Sequence, residues 1–122
     1  MLLKGSIKKI LAKRGYKHWE SDAEFTRHGD YARNLQYAFS KEFSSPETKI
    51  VDIIFLSVDM RDEKLVIGFC RENLSIENGV LENISASIPL VKFSLDEFEK
   101  QLNRLIPKKD PVLKVKPGQH NF

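Results

Sequence analysis

The densest run of chemically capable side chains is His18, Glu20, Asp22, Glu24, His28 and Asp30: two imidazoles and four carboxylates within a dozen residues. Such a set could ligate a metal. On an extended strand, however, His18, Glu20, Asp22 and Glu24 would project from one face at intervals of about 7 Å. A small ion needs its ligand atoms near 2 Å, so neighbours at that spacing do not converge on it. No His-x-x-x-His spacing occurs. The run is read as an acidic stripe facing solvent or a partner, and no metal or cofactor is expected.

Asp62-x-Lys64 has the form of the second half of a metal-dependent nuclease motif, with Asp52 or Asp59 as the upstream carboxylate. The tripeptide is short and common, and here it falls in a predicted hairpin turn, where Asp and Lys belong anyway. Cys70, the single cysteine, could serve as a nucleophile beside a histidine, but its place after Phe69 in an apolar run favours a buried, inert thiol. The six glycines are scattered and form no phosphate-cradling loop, and no nucleophile-elbow pattern surrounds any serine. The chemistry-bearing residues therefore point to binding, not catalysis.

Charge is distributed unevenly around a net +3. Residues 1–19 hold six Lys/Arg and no acid, residues 20–100 hold nine Lys/Arg against sixteen Asp/Glu, and residues 101–122 hold five against one. An acidic body between two basic ends would attract a cationic partner at the body and phosphate at the ends.

The element that must position these groups is Ile50 to Val58. Val51, Ile53 and Phe55 lie on one face of a strand; Ile50, Ile54, Leu56 and Val58 lie on the other. A strand apolar on both faces belongs in the middle of a covered sheet. Around it, residues 2–14 read as an amphipathic helix with Leu3, Ile7, Ile10 and Leu11 inward and Gly15 as its stop. Residues 16–27 alternate as a strand, with a competing capping box at Ser21-x-x-Glu24. Residues 31–43 place Tyr31, Leu35, Tyr37, Phe39 and Phe43 at odd positions, which predicts a strand; a helix is the alternative, because the Ala, Arg, Leu, Gln, Lys and Glu residues of the segment are good helix formers.

A charged turn at Asp59 to Glu63 should join the central strand to a second, Lys64 to Arg71, in an antiparallel hairpin. Asn78-Gly79 predicts a tight turn between a strand near Leu74 to Glu77 and one starting at Val80. Pro89 marks that last strand as an edge or an end. Ser94-x-x-Glu97 is a capping box opening a helix with Leu95, Phe98, Leu102, Leu105 and Ile106 inward, stopped by Pro107. The expected fold is α+β: an antiparallel β-meander of about four to six strands flanked by an N-terminal and a C-terminal helix, the two helices lidding the two faces. Residues 1–107 form a single domain and 108–122 a basic, Pro-containing tail.

The lysine-interrupted N-terminus lacks a signal-peptide core and one cysteine forms no intrachain disulfide, so a cytoplasmic protein without membrane contact is expected. These features favour a small protein-binding domain, not an enzyme, of the immunity or antitoxin type: one that neutralises a cationic toxin or nuclease domain by direct contact. In size and layout alone the chain is similar to bacterial immunity proteins of contact-dependent toxin systems. The partner-binding residues are then Trp19, Glu20, Asp22, Glu24, Asp59, Asp62 and Glu63. The alternative is a nucleic-acid-binding or regulatory domain using Lys8, Lys9, Lys13 and Arg14 with the C-terminal lysines.

Overall fold

The computed structural model describes residues 4–18 and 36–113. Helix α1 (Lys4–Lys13) leads into a two-residue strand β1 (Lys17–His18), followed by β2 (Gln36–Ser44), β3 (Lys49–Asp59), β4 (Lys64–Asn73) and β5 (Val80–Pro89). A 3-10 turn (Leu90–Lys92) then delivers the chain to helix α2 (Leu95–Leu105). The strands form one antiparallel sheet in chain order, β1-β2-β3-β4-β5, so the apolar run predicted to lie centrally does so.

The registers are long and continuous. Phe39, Ile54, Phe69 and Ile84 stand abreast across four strands, as do Tyr37, Leu56, Ile67 and Ala86. Because side chains alternate along a strand, these rows share one face. That face carries the main core: Phe39, Ile54, Leu56, Val58, Leu65, Ile67, Phe69 and Ile88 are buried in one cluster with Ile7 and Leu11 of α1 and Phe98, Leu102 and Leu105 of α2. Each such side chain contributes about 1.5–3 kcal/mol through removal from water. On the opposite face Ala38, Val51 and Ile53 are buried as well.

Both helices thus lie on the same face, whereas the sequence pattern led us to expect one on each. The reason is width. Five strands put about 19 Å between the outer two, while packed helix axes sit only about 8–10 Å apart. One short helix leaves half of that face open, and two side by side fill it.

The helix ends follow the sequence closely. Gly15 takes φ of +92°, its N–H donates to the Ala12 carbonyl at 2.9 Å, and the Tyr16 N–H donates to the Leu11 carbonyl at 3.0 Å. This is a Schellman motif, which glycine allows because a side chain at that φ would be strained. At the start of α2, Ser94 Oγ accepts the Glu97 N–H at 3.0 Å. Asp96 and Glu97 occupy the first turn and Arg104 the last, the order the helix dipole favours.

The β4–β5 connection differs from expectation. Residues 74–77 form no strand: β4 ends at Asn73, and residues 74–79 make a six-residue loop. Asn73 stops the strand itself, its Oδ1 accepting the Ser75 N–H at 2.9 Å, while Ser75 Oγ accepts the Lys49 N–H at 2.8 Å. These side chains offer the backbone partners outside the ladder, and the ladder ends. Asn78 does adopt the left-handed region, at φ of +55°. Gly79 is needed for a different reason: a Cβ there would meet the Asn73 carbonyl oxygen at 2.1 Å.

Of the strand expected over 31–43, residues 36–43 lie in β2, and of the strand over 16–27 only Lys17–His18 is described. The rest of both, and the tail from 114 onward, lie outside the described residues. No helix of the described chain is long and apolar enough to cross a membrane.

Candidate functional site

The β3–β4 hairpin turn gathers three of the seven predicted partner-binding residues. Asp59 closes β3 opposite Lys64, and Asp59 Oδ1 accepts the N–H groups of Arg61 at 3.0 Å and Asp62 at 3.1 Å. An Asp doing this builds the turn and keeps its own charge: the Asp62 and Arg61 amides hold the Asp59 carboxyl below its usual value. Asp62 and Glu63 are left exposed, with a 3.8 Å contact from Lys64 Nζ to Asp62 Oδ2. Glu63 adopts φ of +50°, and its carbonyl accepts the Leu90 N–H at 2.9 Å, tying the turn to the chain leaving β5. Trp19, Glu20, Asp22 and Glu24 lie outside the described residues.

The residues of the nucleic-acid alternative separate into two kinds. Lys8, Lys9 and Lys13 are exposed on α1. Arg14 is half-buried and committed elsewhere: its Nη2 donates to Asn103 Oδ1 at 3.0 Å and contacts Glu99 Oε1 at 3.3 Å, joining α1 to α2.

At the far end of the sheet from the turn lies a feature the sequence reading missed. Lys41, Asp52, Arg71 and Glu82 stand directly opposite one another on β2, β3, β4 and β5, an alternating row of charges on the helix-covered face. Asp52 is only 2% exposed, and Arg71 reaches it with both prongs, Nε to Oδ1 at 2.7 Å and Nη2 to Oδ2 at 2.8 Å. The hydrogen bonds to Asp52 push Arg71 above its ordinary pKa, so the guanidinium is held fully charged. Lys41 turns aside from Asp52: its Nζ donates to the Arg14 carbonyl at 3.1 Å, satisfying the end of α1, and lies over the rings of Tyr16 and Phe43.

Tyr16 seals this corner. Burial, then the Asp52 charge, push its phenol well above the usual tyrosine range. The carboxylate of Asp110, beyond α2, acts on both Tyr16 and Arg71. Buried ion pairs of this kind seldom add much net stability, but they penalise any other register. A slip of one residue between β3 and β4 would leave Asp52 and Arg71 on opposite faces.

The pieces of the nuclease-like reading do not converge. Asp52 is seven residues along β3 from Asp59, about 23 Å at strand rise, and is bound to Arg71. Cys70 sits half-buried on the sheet face away from the helices, its thiol raised by burial, then by Glu72 and Asp52, so it stays protonated and weakly nucleophilic. Among the described residues no three His, Cys, Asp or Glu side chains come together as a metal site. Compared with known proteins, the chain matches no family model, no curated protein and no solved structure.

Proposed function

We propose that the chain is a non-catalytic protein-binding domain of the immunity or antitoxin type, which captures a cationic toxin or nuclease domain through the carboxylates of the β3–β4 turn. Trp19, Glu20, Asp22 and Glu24 extend this contact in the sequence-based reading. One observation carries the proposal. Glu63 sits in the left-handed region, where a non-glycine residue costs on the order of 1 kcal/mol. Its side chain is exposed and Gly or Asn would serve the turn better, so a carboxylate kept there at that cost suits a contact outside the fold. Asp59 supports the same reading, since a rigid, ionised turn presents Asp62 and Glu63 with little ordering entropy left to lose on binding. Opposite charge on the partner would then speed encounter and fix orientation.

The test uses the tagged chain as bait in an extract of its native cell. Wild type is expected to retain a basic toxin or nuclease domain, and the double variant Asp62→Lys/Glu63→Lys to lose it at an unchanged melting temperature. Equal retention by both would remove the turn from the interface.

A second reading rests on α1. Three exposed lysines in one ten-residue helix that lacks any acid would suit phosphate. Affinity for RNA or DNA that falls steeply with salt, and that weakens in Lys8→Glu/Lys9→Glu, is its signature.

A further inference from the structure

The two helices account for burial on one face of the sheet, where they pack with Phe39, Ile54, Phe69 and Ile88. Burial on the other face is graded from strand to strand. On β2 and β3, Ala38, Val51 and Ile53 are 0%, 8% and 9% exposed. On β4, Val66 and Cys70 are half-buried, and on β5, Asn83, Ser85 and Ser87 are exposed. Composition follows the same slope, apolar on β3 and polar on β5. Side chains stand roughly perpendicular to a sheet, so neighbours on a bare face do not seal one another's tips. Something therefore lies over β2 and β3 and stops near β4. Neighbouring strands are about 4.8 Å apart, which makes the covered strip about 10 Å wide, the width of one packed element.

The burial is that of a single chain, so neither a second copy nor another protein provides it. The connections among β2 to β5, residues 45–48, 60–63 and 74–79, are turns at the ends of the sheet. The chain beyond α2 passes on the helix side, where Asp110 acts on Tyr16 and Arg71. Residues 19–35, which lie outside the described residues, differ from all of these in length and in where they attach. β1 ends at His18 opposite Phe39, and β2 begins at Gln36. The chain thus leaves and re-enters the sheet at points about 11 Å apart. An antiparallel hairpin closes such a gap with about two to five residues, whereas seventeen intervene here, among them Ala23, Phe25, Tyr31 and Leu35. They attach on the β1–β2 side, where burial of the second face is deepest.

We infer that residues 19–35 dock on the second face of the sheet, with apolar side chains of that segment against Ala38, Val51 and Ile53. The sheet is then the middle of three layers, with two helices on one side and this segment on the other. The docked strip ends before β5 because Asn83, Ser85 and Ser87 offer nothing apolar to bury there. This docking holds whether or not the acidic turn binds a partner.

Nuclear Overhauser contacts from the methyl groups of Val51 and Ile53 in the full wild-type chain test this directly. They are expected to reach protons of residues 19–35. Mixing labelled and unlabelled chains separates contacts within one chain from contacts between copies. Contacts only to another segment, contacts only between copies, or no contacts beyond the sheet overturn the inference. Cys70 supplies a second reading, since it is the single cysteine, is half-buried on this face and stands opposite Ile53. Labelling of its thiol at fixed pH should be at least about tenfold faster in Phe25→Ala/Leu35→Ala than in wild type, because loosening the segment opens the face locally. Equal labelling rates in a folded double variant also overturn it. Should that variant unfold, the wild-type methyl contacts alone decide.

Discussion

Arg71 and Asp52 face each other across β3 and β4 and share two short hydrogen bonds in a place where the carboxylate is nearly sealed from water. The pair locks the register of the central hairpin, and that register fixes where the β3–β4 turn falls at the other end. The buried pair and the exposed acidic turn are therefore linked through the strands that join them.

Breaking the pair from one side should be costly. Arg71→Ala leaves an uncompensated buried carboxylate and is expected to lose about 3–5 kcal/mol of stability in urea denaturation. Asp52→Leu combined with Arg71→Met removes both charges and should recover most of that loss. If the double variant is no better than the single one, the cost lies in packing and not in charge.

Glu63→Gly should hold or raise stability, by up to about 1 kcal/mol, since relief of the left-handed strain is partly offset by a more flexible unfolded chain. Partner capture should fall all the same. A loss of more than about 1 kcal/mol would mean that the Glu63 side chain supports the fold itself.

The two left-handed or crowded glycines give a graded pair. At Gly15 a Cβ would meet only the flexible end of Lys41, at 3.1 Å, so Gly15→Ala should cost about 1–2 kcal/mol from its backbone conformation. At Gly79 the obstacle is main chain, so Gly79→Ala must displace the β4–β5 loop and should cost more. Thermal melts of the two variants side by side check the order.

Two pH limbs follow from the shifted groups. The Asp59 carboxyl is depressed in the folded state, so its contribution is present above its ordinary value of about 3.9 and is lost as pH falls through the lower folded value. Asp59→Asn should flatten the acid limb. Tyr16 is shifted the other way: the folded chain keeps its phenolic proton where the unfolded chain has lost it. Stability should therefore decline as pH rises beyond about 10, and Tyr16→Phe should remove that decline. Denaturation midpoints measured across both ranges are the check.

Much of this fold could be read from the chain because local signals agreed with the tertiary outcome. Gly15, Ser94 and Pro89 each end or begin an element where their backbone chemistry requires it. The two-faced apolar run became the middle strand because only there are both faces covered. What escaped was relational. The loop from Leu74 to Gly79 resembled a tight turn because Asn-Gly is a strong short-range signal, while the competing hydrogen bonds run from the Ser75 N–H to Asn73 Oδ1 and from the N–H of Lys49, a residue on another strand, to Ser75 Oγ. The position of the helices was decided by sheet width, which no single segment encodes.

The buried pair was within reach. Once the turn sets Asp59 opposite Lys64, seven steps back along β3 and seven forward along β4 bring Asp52 opposite Arg71. An Asp inside an apolar strand asks for such a partner, because an unpaired buried charge is prohibitive. Of the proposed contact set, Asp59, Asp62 and Glu63 could be foreseen as a hairpin turn from their composition. The left-handed Glu63 could not, since its sequence context carries no Gly or Asn to announce it.

The most direct measurement compares two charge-reversed proteins in binding to the captured partner: Asp62→Lys/Glu63→Lys, and Lys8→Glu/Lys9→Glu/Lys13→Glu. The account predicts that the first loses at least about 2 kcal/mol of affinity, or some thirtyfold, while the second binds as wild type does. Loss of binding in the lysine variant, with the acidic-turn variant unaffected, would contradict it.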